Sequence, residues 1–322
     1  MSSIDHPVIS ALIPVVLLIA IGFIAGKRRW IRAEAVRDLS NLVFLVLIQA
    51  LLFRTMSTVH IERLDFKPVA LYFAVAGTLF AVLVLLRGTN SRAAVEALAA
   101  IFSNTVMIGV PLVSLAYGEA GLVLLFTLIS LHALILLTLA TIVLELLTAR
   151  EAAQRADGNA PHVWTTVSLA VRNAIIHPVP LPIIAGLLFA QTGFTVPAVV
   201  DRPLQLLGAA FGPVALVLVG VTLAQSAIGR HYKGALAISG VKMLLHPLLM
   251  AGVGLLFGLR GLPLSVMVLA AALPIGANVF LFSQRYQVAQ GLITASVAAS
   301  TLFGLGSLSV VMWLLAAFVP PH

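Results

Sequence analysis

Apolar residues in this chain form long continuous blocks that short polar segments separate. The blocks are about 20 residues long, the length that a helix needs to cross the ~30 Å hydrocarbon layer of a bilayer. Because backbone polar groups cannot stay unpaired in lipid, each block is predicted to be a helix. The predicted fold is an all-α polytopic membrane protein with ten spans, at about 8–26, 38–56, 67–86, 95–116, 120–147, 174–191, 204–226, 235–258, 262–284 and 289–317.

Composition agrees with this pattern and excludes several classes of protein. The chain is 61% hydrophobic and 9% charged over 322 residues. A soluble domain of that size has too little polar surface to cover so much apolar surface. The chain has no cysteine, which excludes disulfides, thiol catalysis and thiolate metal sites. No metal site or cofactor is expected.

The basic residues of the loops predict an orientation in the membrane. With ten spans and the N-terminus outside, 14 of the 19 Lys and Arg residues fall on the inner side. Basic residues concentrate on the cytoplasmic side of membrane proteins, so both termini are predicted on the non-cytoplasmic side of the cell inner membrane. The net charge of +8 has its source in these loops and does not indicate nucleic-acid binding.

A polar stretch, 148–166, divides the ten spans into two halves and is predicted to be a cytoplasmic linker. The first half is 1–147 and the second is 167–322. Because five spans is an odd number, the halves must lie in the membrane in opposite senses. Shifting the first half by 164 residues places Gly22 on Gly186 and aligns 49–53 with 213–217. Inverted repeats of this kind are typical of secondary transporters.

The fourth span of each half contains helix-breaking residues at mid-membrane depth. A broken helix frees backbone groups, which are tolerated in a membrane where they line a cavity. A Pro kink or a Gly packing contact is a simpler alternative for either helix alone. Their equivalent positions in inverted halves favour a site, where the N-termini of half-helices attract a carboxylate. The breaking and polar residues are Asn104, Gly109 and Pro111 in the fourth span and Pro274, Gly276 and Asn278 in the ninth.

These two motifs resemble those of the auxin efflux carrier family. The stretch 104–112, Asn-Thr-Val-Met-Ile-Gly-Val-Pro-Leu, is similar to the family's fourth-span motif, and Pro274-Ile-Gly-Ala-Asn278 is most similar to the bacterial malonate-transporter branch. The resemblance implies ten spans, with broken fourth and ninth helices that cross, elevator-like transport of an organic anion, and a homodimer. It also implies that Asn104 and the backbone around Pro274 hold the substrate carboxylate, with Ser130 and His132 at the nearest fifth-span positions. The predicted site further includes Thr105, Gly109, Gly276 and Asn278, and Gln49 either lines the cavity or replaces a helix-breaking Pro.

The sequence departs from the family pattern at three places. Plant auxin carriers have Pro where this chain has Ser103, and family members often have Pro where it has Gln49. The third span, 66–86, has no carboxylate at its centre, unlike the plant proteins. The last difference puts proton coupling through a third-span acid in doubt.

Other ionisable residues within the spans have competing interpretations. His132 either titrates at the anion site or is a neutral imidazole bonded to a neighbouring helix. Lys242 and His246 share a helix face, and packing at the membrane interface is favoured over pairing in the core. Glu145, near the cytoplasmic end of the fifth span, is expected to extend to the interface.

The predicted function is secondary transport of a small organic anion, either a malonate-like dicarboxylate or an auxin-like monocarboxylate. A membrane receptor or sensor built on a carrier fold is the main alternative, and a passive channel is a third. No catalytic motif or nucleotide-binding loop occurs in the sequence, so an enzyme is not expected. The expected partners are the carboxylate substrate, the lipid bilayer and a second copy of the chain.

Overall fold

The computed structural model describes residues 7–154, 179–226 and 229–318. Across these ranges the secondary structure is helical, and the only β-type pairing is one antiparallel bridge between Ser103 and Ile275. The all-helical prediction is therefore confirmed for the described part of the chain. The N-terminal part of the predicted second half, 167–178, lies outside the described residues.

The first helices follow the apolar blocks closely. Helix α1 is Pro7–Lys27, α2 is Ala35–Met56, α3 is Lys67–Arg87 and α4 is Ser91–Ile101. A π-helical turn, Val43–Leu47, lies within α2. Helix α4 begins at an Asn90 cap, whose side chain accepts a hydrogen bond from the amide of Ala93 at 2.8 Å.

A long helical stretch follows and is broken at one glycine. The π-helical turn Thr105–Gly109 leads into Val110–Gln154, and within it Gly118 has φ 60° and ψ −152°. That backbone conformation is accessible to glycine because glycine has no Cβ. The break separates α5, 105–117, from α6, 119–154. Helix α6 therefore includes 148–154 of the predicted linker, and 155–166 of that linker lies outside the described residues.

The second group of helices begins at Pro180. Helix α7 is Pro180–Gln191, α8 is Ala198–Gln225 and α9 is Gly229–Leu256, which contains a π-helical turn at Val241–Leu245. Helix α10 is Gly261–Ala272, α11 is Asn278–Tyr286 and α12 is Gln290–Phe318. Helix α12 bends by 49° between Gly304 and Gly306.

Five of the described helical stretches are long and apolar enough to cross a membrane. The number is six if the two parts of the bent α12 are counted as one span. Shorter apolar helices include Ala11–Lys27, Pro180–Gln191 and Gly261–Ala272. The chain is therefore an all-helical, multi-pass membrane protein in its described parts. The arrangement as ten spans in two inverted repeats remains a prediction.

Two pairs of helices approach so closely that their backbones touch. A Cβ at Gly22 of α1 would lie 2.0 Å from the carbonyl oxygen of Val217 in α8, and a Cβ at Gly220 would lie 2.0 Å from the oxygen of Ile19. A Cβ at Gly186 of α7 would lie 2.8 Å from the carbonyl oxygen of Phe53 in α2. Small residues permit such contacts between membrane helices.

The outer surface of the helices is apolar. Leu86 is 79% exposed, Val199 85% and Leu256 80%. Apolar exposure of this extent requires an apolar solvent, which a bilayer supplies. The interior contains the two segments where helices break, and Ser103 and Ile275 at their centres are 1% and 0% exposed.

Candidate functional site

The two predicted breaks meet each other in the interior of the protein. The amide of Asn104 donates to the carbonyl of Pro274 at 2.8 Å, and the amide of Gly276 donates to the carbonyl of Phe102 at 3.0 Å. These bonds form the bridge between Ser103 and Ile275. We call segments 102–104 and 273–277 together the crossover. Each unwound segment supplies the backbone partners that the other needs, as buried polar groups require.

Local sequence explains why the helices end at the crossover. Pro274 has no amide hydrogen, so α10 cannot continue through it, and the preceding residue is extended as proline requires. Leu273 accordingly has φ −60° and ψ 150°. The next amide, that of Ile275, donates to the Ser300 hydroxyl of α12 at 3.1 Å. The break is therefore held from α12 as well as from the other unwound segment.

A helix begins immediately after each unwound segment. Asn104 precedes the first turn of α5, and its side-chain oxygen accepts from the amide of Met107 at 3.2 Å. Ala277 precedes α11, and no side chain caps that helix start. Amide groups at a helix N-terminus point outward and carry partial positive charge. Two helix N-termini therefore lie beside one crossover.

The crossover has a buried part and an accessible edge. Ser103, Pro274 and Ile275 are buried, while Asn104 and Asn278 are half-buried and Ala277 is exposed. The accessible edge thus consists of the two asparagines and the start of α11. The two asparagine side chains can donate hydrogen bonds to an anion, and none of Asn104, Ala277 and Asn278 carries a negative charge.

Glycines let the unwound segments approach each other. A Cβ at Gly276 would lie 2.9 Å from a ring carbon of Phe102 and 3.0 Å from the carbonyl oxygen of Ser103. A Cβ at Gly109 would lie 2.7 Å from a methyl carbon of Leu273. Thr105 is buried at the first turn of α5. Predicted site residues Gly109, Gly276 and Thr105 therefore lie at the crossover, in packing positions.

His132 of α6 contacts the crossover through aromatic packing. Its ring centroid is 4.5 Å from that of Phe102, in an edge-on geometry. The Tyr72 hydroxyl lies 3.4 Å from His132 Nε2 and 3.0 Å from the Ser103 hydroxyl, so one tyrosine joins α3, α6 and the break. The interpretation of His132 as an imidazole bonded to a neighbouring helix fits this geometry.

Two other predicted site residues use their side chains within their own helices. The Gln49 amide nitrogen donates to the carbonyl of Phe44 at 2.8 Å, beside the π-helical turn of α2. The Ser130 hydroxyl donates to the carbonyl of Thr127 at 2.8 Å. The described contacts of these two groups therefore support local helix structure, and their role towards a substrate remains a prediction.

The prediction that Lys242 and His246 pack at the membrane interface is wrong, because both side chains are 0% exposed. The Lys242 ammonium donates to the carbonyl of Ala271, in the last turn of α10. The His246 ring lies 5.4 Å from that of Tyr72, centroid to centroid. The apolar residues on both sides of α9 are typical of a helix that faces lipid. In the structure, however, α9 packs between α3 and α10.

The interfacial position expected for Glu145 is wrong as well. Its side chain is 6% exposed, so it is covered by the protein and does not extend to the membrane interface. The sequence also failed to identify Tyr72 and Ser300 as partners of the crossover. A hydroxyl in the middle of an apolar block needs a hydrogen-bond partner when buried, and this requirement could have pointed to Tyr72.

Among the described residues, no group of three or more His, Asp or Glu side chains is placed to hold a metal ion. The polar groups at the crossover are instead amides, hydroxyls and one imidazole. These groups bind by hydrogen bonding and partial charge, so the arrangement is suited to recognition of a ligand.

Comparison with known proteins gives consistent matches along the chain. A family model described as "Membrane transport protein" matches residues 7–312. The chain is 28% identical over 313 residues to the "Putative malonate transporter" of Rhizobium meliloti, with 94% of each chain covered. It is 26% identical over 305 residues to the "Uncharacterized transporter YfdV" of Escherichia coli, covering 91% of this chain and 93% of the relative.

A plant protein is similar over a shorter region. The chain is 24% identical over 242 residues to "Auxin efflux carrier component 8" of Arabidopsis thaliana, and this match covers 64% of the chain and 66% of the relative. Bacterial and plant relatives therefore agree with the family model in describing transport across a membrane.

Proposed function

Because the chain belongs to the membrane transport protein family, which is the auxin efflux carrier family, we propose that it is a secondary transporter of small organic anions. The observation that carries this proposal is the pair of backbone hydrogen bonds, Asn104 to Pro274 and Gly276 to Phe102, which bring two helix N-termini to one crossover. Half-helix N-termini near the bilayer midplane bind anionic groups of transported substrates.

In this proposal the substrate carboxylate lies at the accessible edge of the crossover. The Asn104 and Asn278 side chains supply hydrogen-bond donors, and the first turns of α5 and α11 supply amides and positive partial charge. Thr105, Gly109, Pro274 and Gly276 shape the backbone there. A malonate-like dicarboxylate is the preferred substrate, since two helix N-termini lie beside the crossover and a bacterial relative is named for malonate transport.

Two glycine contacts support the inverted repeat. The 164-residue shift aligns Gly22 with Gly186 and Phe53 with Val217. In the structure Gly22 packs on the carbonyl of Val217, and Gly186 packs on the carbonyl of Phe53. Exchanging the two halves turns one contact into the other, as a two-fold relation between repeats requires. In the ten-span arrangement, α4 and α5 together form one broken span, and α10 and α11 together form the other.

An elevator mechanism is supported by the way the helices associate. Helices α1, α2, α7 and α8 pack mainly on one another, whereas both unwound segments belong to the group formed by α3–α6 and α9–α12. Movement of the second group against the first would carry the crossover across the membrane. We place the protein in the cell inner membrane as a homodimer, with both termini on the non-cytoplasmic side and a linker at 148–166.

The test is thermal stabilisation of the purified protein by a panel of small carboxylates, with and without Na⁺, at two pH values. A ligand that binds the native state raises its stability by about 2.7 kcal/mol at 100 times its Kd. We expect a selective rise in melting temperature with malonate or a similar acid. No rise with any carboxylate would overturn the anion assignment, and stabilisation without flux into liposomes would favour the receptor alternative.

A further inference from the structure

We propose that Tyr72, His132, Lys242 and His246, which we call the basic cluster, form a proton site that couples carboxylate transport to proton movement. The proposal rests on the transport function proposed above and adds its coupling ion. It starts from a feature that anion binding leaves unexplained, namely three basic side chains buried together behind the crossover.

Contacts connect Tyr72, His132 and His246 to each other and to the first unwound segment, and they connect Lys242 to the helix that leads into the second. His246 packs on Tyr72, whose hydroxyl is within hydrogen-bond distance of His132 and of Ser103 in the first unwound segment. Lys242, one helical turn before His246, binds the carbonyl of Ala271 at the end of α10. A change of charge in this cluster is therefore transmitted directly to the groups that hold the crossover.

His246 is held in an unusual state for a buried polar side chain. Neither of its ring nitrogens has a hydrogen-bond partner among the described residues, and the residue is 0% exposed. A neutral imidazole has one donor and one acceptor, and leaving both unpaired in the interior is costly. Such a group calls for an explanation, and exchange of a proton during transport provides one.

Lys242 occupies the place where a coupling cation would bind. In transporters with broken helices, the C-terminal carbonyls of a half-helix coordinate the coupling cation. Here the carbonyl of Ala271 in the last turn of α10 binds the Lys242 ammonium instead. The lysine is a cation attached to the protein, so its charge changes only by loss or gain of a proton.

No acidic group faces the cluster within the described residues. Tyr72 comes from α3, His132 from α6, and Lys242 and His246 from α9, while α10 and α12 contain no ionisable residue. Helix α4 contributes Glu96, whose carboxylate is bound to Arg87 at 3.2 Å and Arg92 at 2.8 Å. Each proton that binds to the cluster therefore adds one positive charge, and no fixed negative charge beside the cluster neutralises it.

The substrate carboxylate supplies the missing negative charge. A carboxylate at the crossover favours protonation of the cluster, and a protonated cluster favours the carboxylate by the same factor, because binding linkage is reciprocal. Carboxylate and proton then bind and leave together. The expected transport is proton-coupled, with the proton moving in the same direction as the anion, and independent of Na⁺.

The experiment uses the full chain in liposomes that contain a pH-sensitive dye. Exchange of labelled for unlabelled malonate is measured first, and net malonate entry with internal acidification second. We expect a fixed ratio of protons to malonate that is the same with and without Na⁺. Exchange together with net malonate entry that causes no internal acidification would overturn the proton site and leave the transport function intact, whereas absence of exchange would overturn both.

Two variants locate the proton site, and a third is the matched control. For His246→Gln and Lys242→Gln we expect malonate exchange to persist and the internal acidification that accompanies net malonate entry to be lost. His60→Gln, in an exposed loop, is expected to keep the wild-type ratio. A wild-type ratio in both cluster variants would assign these residues a purely structural role and overturn the proposal.

Discussion

At the scale of single residues, Asn104 combines two roles that ordinary mutagenesis would confuse. Its side-chain oxygen caps α5 through the amide of Met107, and its half-buried position places the rest of the amide at the accessible edge of the crossover. Loss of the cap lowers stability, whereas loss of the amide donor removes the substrate contact that we propose for Asn104. Aspartate retains the cap and replaces the donor by a negative charge, so it separates the two roles.

Asn104→Ala is expected to lower stability by about 1 kcal/mol, the usual cost of losing an N-cap, and to abolish stabilisation by malonate. Asn104→Asp is expected to keep the stability of the free protein and also to abolish stabilisation, because its carboxylate repels the substrate. Melting temperatures of both variants with and without malonate provide the measurement. Stabilisation of Asn104→Asp at the wild-type level would remove Asn104 from the substrate site.

Gly276→Ala tests the close approach of the two unwound segments. Its new Cβ would lie 3.0 Å from the Ser103 carbonyl oxygen and 2.9 Å from the Phe102 ring. We expect a loss of about 1–3 kcal/mol, as in other overpacked interiors.

Gly304→Ala applies the same test from α12, since its Cβ would lie 2.7 Å from Cγ of Pro274. Gly306→Ala is the matched control, because a Cβ there meets no atom within 4 Å. Thermal unfolding in detergent compares the three variants. Equal stability of the Gly276, Gly304 and Gly306 variants would contradict the packing described for the crossover.

The sequence located the two helix breaks but not the side chains that surround them, for a physical reason. Asn104, Pro274 and Gly276 could be found because helix-breaking residues are conspicuous in apolar helices. The surroundings of Tyr72, Lys242 and His246 could not, because the sequence of one helix does not show which neighbours cover each face. The sequence of α9 alone suggests an interfacial lysine at Lys242, whereas in the structure α4, α10 and α12 cover the turn that contains it.

At the scale of helices, the closest packing occurs where glycines face backbone carbonyls. Gly22→Ala would place a Cβ 2.0 Å from the Val217 oxygen, and Gly186→Ala would place one 2.8 Å from the Phe53 oxygen. Carbonyl positions are fixed by their own helices, so the helix pairs must separate. We expect both variants to lose folded protein, and Gly22→Ala to lose more.

Gly77→Ala in α3 is the control for this pair, because its Cβ meets no atom within 4 Å. Yield of monodisperse protein and melting temperature are the measurements. A Gly22→Ala protein as stable as Gly77→Ala would show that α1 and α8 are not packed through this glycine, and it would weaken the repeat relation that the paired contacts support.

Element boundaries followed the apolar blocks where polar loops were short and clear. Helix α3, predicted at 67–86, is Lys67–Arg87. Helix α6 extends further than its apolar block, to Gln154, because the chain beyond the block is rich in good helix formers such as Ala, Glu and Arg. Glu151 at that end binds the amide of Ser91 at 2.7 Å, which ties α6 to the start of α4.

At the scale of the whole molecule, the orientation predicted from basic residues can be tested directly, because the chain has no cysteine. Thr58→Cys lies between α2 and α3, and Thr89→Cys lies between α3 and α4, both at exposed positions. We expect a membrane-impermeant thiol reagent to label Thr58→Cys in intact cells, and Thr89→Cys only after the membrane is opened. The reverse pattern would invert the topology.

The overall architecture depends on long-range contacts that hydropathy alone does not specify. Long apolar blocks predicted helices and a membrane, but the pairing of α1 with α8 and α2 with α7 depends on which glycines face which carbonyls. The meeting of two unwound segments in one bridge depends likewise on contacts between residues 172 positions apart, Ser103 and Ile275. The family resemblance supplied that arrangement as an expectation.

The most direct test of the account is entry of labelled malonate into liposomes that contain the purified protein and unlabelled malonate. A carboxylate transporter with its site at the crossover should accumulate label by exchange, and Asn104→Asp should abolish that exchange while remaining folded. No exchange of malonate or of any other small carboxylate, or exchange by Asn104→Asp at the wild-type rate, would contradict the account.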